Sequence, residues 1–73
     1  MVKYKIELVT TSDIVEFVNA VSDAKGYVKL MDDEGFCVNG KSLLGAMASI
    51  EWKSLYCVSE NDIYSRIQKF CCD

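Results

Sequence analysis

Val38-Asn39-Gly40-Lys41-Ser42-Leu43-Leu44-Gly45-Ala46-Met47 is the stretch on which the reading of the fold turns. Phe36-Cys37-Val38 ahead of it is a short β-patterned run. Asn39-Gly40-Lys41-Ser42 breaks that run and offers helix caps, serine being among the preferred N-cap residues. Leu43, Leu44, Met47 and Ile50 then mark a short helix, with the small residues Gly45, Ala46 and Ala48 between them. Glycine inside a helix costs about 1 kcal/mol relative to alanine. Close packing against that side of the helix is therefore expected at Gly45. Only about ten residues, 41–50, are available for this helix before the next strand.

Toward the N-terminus, residues 2–8 alternate: Val2, Tyr4, Ile6 and Leu8 fall on one face, Lys3, Lys5 and Glu7 on the other. That period of two predicts a strand with one wet face. Thr10-Thr11-Ser12-Asp13 offers caps, with Asp13 and Glu16 at the spacing of a cap-like pair. Ile14, Phe17, Val18 and Val21 follow on one helical face, and Lys25-Gly26 predicts the helix end. Residues 27–32 read as a second strand with Val28 and Leu30 inward, joined to the 36–38 run by the turn Asp32-Asp33-Glu34-Gly35. Beyond the 41–50 helix, residues 54–58 read as a fourth strand. Ser59 reads as the cap of a last helix carrying Ile63, Ile67, Phe70 and Cys71 on one face and ending with the chain.

The predicted order is β-α-β-β-α-β-α, an α+β domain over residues 1–73. Half-wet strands and one-sided helices imply one antiparallel sheet with helices on a single face. Two families fit the order, the ferredoxin-like split β-α-β and an open-faced β-sandwich. The short second helix favours the latter, since a ferredoxin-like crossover helix usually runs longer.

Composition excludes several functions. A 73-residue domain buries only roughly 60% of the surface of its unfolded chain, so most apolar positions are expected in the core. No apolar run approaches the roughly 18 residues of a membrane span, and MVKYKIEL has no continuous apolar stretch of the signal-peptide kind; a cytoplasmic protein is expected. Eleven acidic residues face eight basic ones, and the lysines are scattered singly with one arginine, Arg66, so nucleic acid is not an expected partner. Cys37, Cys57, Cys71 and Cys72 form no C-x-x-C pair, and without histidine a zinc site would need three or four of these thiolates to converge. Cys37 and Cys57 read as small buried hydrophobes, Cys71 and Cys72 as a thiol pair on the last helical turn. The acidic turn lacks the ligand series of a calcium loop. No nucleophile with a paired base and no phosphate-cradling glycine loop is visible, so neither enzymatic activity nor a cofactor is expected.

Residues 38–47 resemble the signature around the regulatory serine of the histidine-containing phosphocarrier (HPr) family, matching it at Val38, Asn39, Lys41, Ser42, Gly45 and Met47. The resemblance implies an HPr-like open-faced β-sandwich, βαββαβα, with a four-stranded antiparallel sheet and three helices on one face. It also implies two sites. The first is a phosphoacceptor histidine at the start of the first helix, in the region of Thr10, Thr11 and Ser12, with a supporting arginine two residues on. This chain has no histidine, its one arginine lies in the last helix, and Asp13 places negative charge near the helix N-terminus. An unassisted hydroxyl is a poor nucleophile, and phosphoryl transfer needs positive groups. Phosphocarrier activity is therefore expected to be absent.

The second implied site is the serine matching Ser42, which the family uses for regulatory phosphorylation; the residues alone account for Ser42 as an N-cap. The resemblance further implies an apolar docking surface for protein partners at Lys41, Ser42, Leu43, Leu44 and Met47. Trp52 either extends that surface or covers a sheet edge. The expected function is that of a non-catalytic protein-binding or regulatory module related to the bacterial phosphotransferase system. The alternatives are a serine-kinase substrate modified at Ser42, and a redox or metal-binding module using Cys57, Cys71 and Cys72.

Overall fold

The structure, a computed structural model, describes residues 1–72. Strand β1 (Val2–Lys5) leads to helix α1 (Thr11–Val21), then the hairpin β2 (Val28–Met31) and β3 (Cys37–Asn39). Helix α2 (Leu43–Ala48) runs into a 3-10 turn at Ser49–Glu51, followed by β4 (Tyr56–Ser59), α3 (Tyr64–Ile67) and a second 3-10 turn at Gln68–Phe70. The strands form one antiparallel sheet in the order β1-β4-β2-β3. Because β4 pairs antiparallel with both β1 and β2, β1 and β2 are parallel with β4 inserted between them. Likewise β3 and β4 are parallel with β2 between. Both helical crossovers are thus split β-α-β units.

Register sorts the strand residues onto two faces. Tyr4, Cys57, Leu30 and Val38 lie in one row, with Val2, Ser59 and Val28 two residues along. Of these, Tyr4, Val28, Leu30, Val38 and Cys57 join the core with Ile14, Phe17 and Val21 of α1, Ala46 of α2, and Ile63, Ile67 and Phe70 from the C-terminal part. Phe17 and Phe70 meet edge to face, ring centroids 5.8 Å apart. The opposite face carries Lys3, Val58, Lys29 and Asn39 in one row and Lys5, Tyr56, Met31 and Cys37 in the next. Every charged residue in the four strands is a lysine on this helix-free face. Val58 is buried there between Lys3 and Lys29, whose aliphatic stems flank it.

Several boundaries differ from the sequence reading for identifiable reasons. The N-cap of α1 is Thr10, paired with Asp13 in a capping box, not Asp13 with Glu16. The helix stops at Val21, ahead of Lys25-Gly26; Gly26 is needed in the following loop, where φ is +78°. Ser59 does not cap α3: it is the last residue of β4, fully buried, its hydroxyl donating to the Asn61 carbonyl. The entry to α3 is held instead by Asp62, whose Oδ1 accepts from the Tyr64 N–H at 3.0 Å and from the Tyr4 hydroxyl at 2.8 Å. Tyr4 in turn accepts from the Ile63 N–H at 3.0 Å, which ties β1 to that turn. The last helix does not run to the chain end: Cys71 bridges Ile6, and the Cys72 N–H donates to the Lys5 carbonyl at 2.9 Å, so this segment lies along the continuation of β1. Cys37, expected in the core, sits on the helix-free face and is exposed.

Candidate functional site

The segment after β3 is built by local hydrogen bonds. The Asn39 side chain accepts from the Lys41 N–H at 2.9 Å, and the Asn39 carbonyl accepts from the Ser42 N–H at 3.1 Å. Together they turn the chain out of the strand. Ser42 then caps α2, its Oγ accepting from the Gly45 N–H at 3.2 Å. Gly45 sits so close to the strand end that a Cβ there would lie 3.1 Å from the Asn39 carbonyl oxygen.

That packing turns α2 inside out. Gly45 and Ala46 face the protein, Ala46 being fully buried, while the large residues are exposed. Leu44 is 85% exposed, and Leu43 and Met47 are also exposed. Ile50, just past the helix, is also exposed; it lines with Leu8 a groove of about 270 Å³ beside the segment that enters α1. Val9, next in that segment, is 65% exposed. Leu43, Leu44 and Met47 are thus all exposed, because Gly45 and Ala46 occupy the inward positions.

Lys41 is placed differently from these three. Its Nζ donates to the Ala24 carbonyl at 2.5 Å, so the ammonium braces the loop after α1. Ser42 is half-buried with its oxygen committed to the cap.

At the start of α1, Thr10 Oγ1 accepts from the Asp13 N–H at 3.1 Å. Asp13 Oδ2 accepts from the N–H groups of Val9 and Thr10, at 2.9 and 3.2 Å. These two bonds hold the Asp13 carboxyl below its ordinary value of 3.8. Thr11 and Ser12 are exposed on the first turn. A carboxylate of the protein itself therefore takes the N–H groups that lead into the helix. Arg66 pairs with Asp23 at 2.5 Å, close to the Ala20 carbonyl in the last turn of α1, and lends no positive charge to the helix start. Lys69 pairs with Glu16.

The cysteines divide. Cys57 is fully buried in β4, and burial pushes its thiol up to about 12, with Cys71 adding a smaller effect. A thiol so protonated is a poor nucleophile and metal ligand at neutral pH. Among the described residues, no three Cys, Asp or Glu side chains are grouped to hold a metal ion.

Trp52 is half-buried against the core and stacks on Phe36 of the hairpin, centroids 6.3 Å apart, rather than joining Leu44 and Met47. Sequence reasoning gave Phe36 only a strand position; the partner that draws it outward is the tryptophan across the turn. Among the described residues, no helix is long and apolar enough to cross a membrane. No family model matches the chain, and neither a curated protein nor a solved structure matches it.

Proposed function

We propose that the chain is a non-catalytic, HPr-like protein-binding module whose docking surface is the outward side of α2. The observation that carries this reading is the inversion of α2: Leu43, Leu44 and Met47 outward, Gly45 and Ala46 inward. A contiguous apolar surface of this kind on a small domain favours a protein partner. The six-residue α2 and the Ser42 cap after Val38-Asn39 support the open-faced HPr-like reading over a ferredoxin-like one. The partner that follows from that reading is the general enzyme of the phosphotransferase system or a regulator that docks on the same surface. The Asp13 carboxylate at the head of α1, with Arg66 engaged elsewhere, supports binding without phosphoryl acceptance.

The test combines labelling and binding. With phosphoenolpyruvate and the general phosphotransferase enzyme, the protein gains no acid-labile phosphate. In calorimetric titration it binds that enzyme, and Leu44→Glu weakens the binding roughly tenfold or more, as expected for an apolar anchor. Acid-labile phosphate on the chain, or a folded Leu44→Glu variant that binds undiminished, overturns the proposal.

A further inference from the structure

A second surface lies away from α2, where the β2–β3 turn faces the segment after the 3-10 turn at Ser49–Glu51. The two form a groove of about 310 Å³ lined by Asp32, Asp33, Glu34, Phe36, Glu51, Trp52, Lys53 and Ser54. Its aromatic wall is the Phe36–Trp52 pair, rings inclined at 26°. Phe36 stays 60% exposed despite this stacking.

The four carboxylates have different roles. Asp32 Oδ1 accepts from the N–H groups of Glu34 and Phe36, at 3.0 and 2.9 Å, and so shapes the turn. Asp33 Oδ2 accepts from the Ser54 hydroxyl at 2.8 Å, which ties the turn to the opposite side; that bond, with one from Tyr56, holds its carboxyl below the ordinary value. Glu34 and Glu51 are exposed, and their carboxylates have no hydrogen-bond or ion-pair partner among the described residues. The groove therefore has an aromatic wall, two carboxylates spent on its shape, and two at its mouth with unused acceptors. Lys53 is the one cation in the lining.

Charge and shape together select the occupant. Acceptor carboxylates beside an exposed aromatic face suit a planar cation, which stacks on the ring and donates to the acids at once. Guanidinium meets both demands; an ammonium is more strongly hydrated and has no flat face. We propose that this groove receives an arginine side chain from a basic polypeptide segment, with the guanidinium against the exposed ring surface and its N–H groups directed to Glu34 and Glu51. The chain's net charge of −3 favours approach of such a segment. The site is independent of the α2 surface and stands whether or not the phosphotransferase reading does.

Trp52 is the single tryptophan, so its fluorescence reports the groove directly. The probe is an N-acetylated, C-amidated hexa-arginine peptide at low salt, with hexa-lysine and hexa-glutamate peptides for comparison. Hexa-arginine is expected to give a saturable change in Trp52 emission, hexa-lysine to bind more weakly, and hexa-glutamate to have no effect. The double variant Glu34→Gln, Glu51→Gln should weaken hexa-arginine binding roughly tenfold. The charge-matched variant Glu16→Gln, Asp23→Asn should not. Any of three results overturns the proposal: no saturable change with hexa-arginine, hexa-lysine binding as tight, or equal losses in the two double variants. Phe36→Ala, which alters an exposed side chain, should also weaken binding; retention of full affinity there counts against the aromatic wall.

Discussion

Thr10 and Asp13 show how two side chains settle the fate of one helix end. Each satisfies N–H groups that the helix cannot, and Asp13 adds negative charge at the positive end of the α1 dipole. Thr10→Ala should lower stability by about 1 kcal/mol, seen as a drop in thermal midpoint of roughly 4–8 °C for a domain of this size. The Asp13 contribution has a defined pH dependence. Its folded carboxyl is depressed below 3.8, so the stabilisation is complete above that value. Below it the unfolded chain binds the proton first, and the contribution is lost as the pH falls through the folded value. The stability gap between wild type and Asp13→Asn, followed by urea titration, should narrow as the pH is lowered from 5 toward 2; a constant gap would refute the assignment. At Cys57 the high thiol value and full burial predict that alkylation at pH 8 labels Cys37 well before Cys57, as peptide mass spectrometry would show.

Helix α2 carries the functional reading, and Gly45 is what orients it. Alanine is the better helix former by about 1 kcal/mol, yet a Cβ at this position would press on the Asn39 carbonyl oxygen at 3.1 Å. Gly45→Ala should therefore lose stability in chemical denaturation instead of gaining it, and a gain would mean that α2 is free to move away from β3. Much of this element was legible in sequence: the Ser42 cap, the short length and the need for close approach at Gly45 all follow from residue types. Its orientation was legible only through the family resemblance, because apolar size alone would turn Leu43, Leu44, Met47 and Ile50 inward. What decides the matter is the clearance at β3, a tertiary constraint that favours Gly45 and Ala46 there. The start of α3 was missed for a similar reason. Ser59-Glu60-Asn61-Asp62 looks like a cap sequence, but β4 must extend through Ser59 to pair with both Val2 and Val28. The capping then falls to Asp62 and a tyrosine from β1, which no local pattern announces.

Across the whole molecule, polarity is divided among three surfaces. The helix-free face of the sheet holds Lys3, Lys5 and Lys29, with Lys3 Nζ 4.4 Å from the Tyr56 ring centroid and Lys29 Nζ 4.8 Å from that of Tyr27. The hairpin end holds the acidic aromatic groove. The outward side of α2, with Ile50 and Val9, holds most of the exposed aliphatic side chains. Strand alternation made the first legible in sequence, and the family resemblance implied the third; the second arises only when distant segments meet. If α2 is the docking surface, its outermost residue, Leu44, can be changed with little effect on the fold, because so little of it is buried. Leu44→Ala should leave thermal stability within about 0.5 kcal/mol of wild type. The most direct measurement is amide chemical-shift mapping of the isotope-labelled protein during titration with the general phosphotransferase enzyme. Perturbations are expected to concentrate in residues 9–13 and 41–50 and to be abolished by Leu44→Glu. Perturbations confined to the sheet face or the hairpin groove, or none at saturating enzyme, would contradict it.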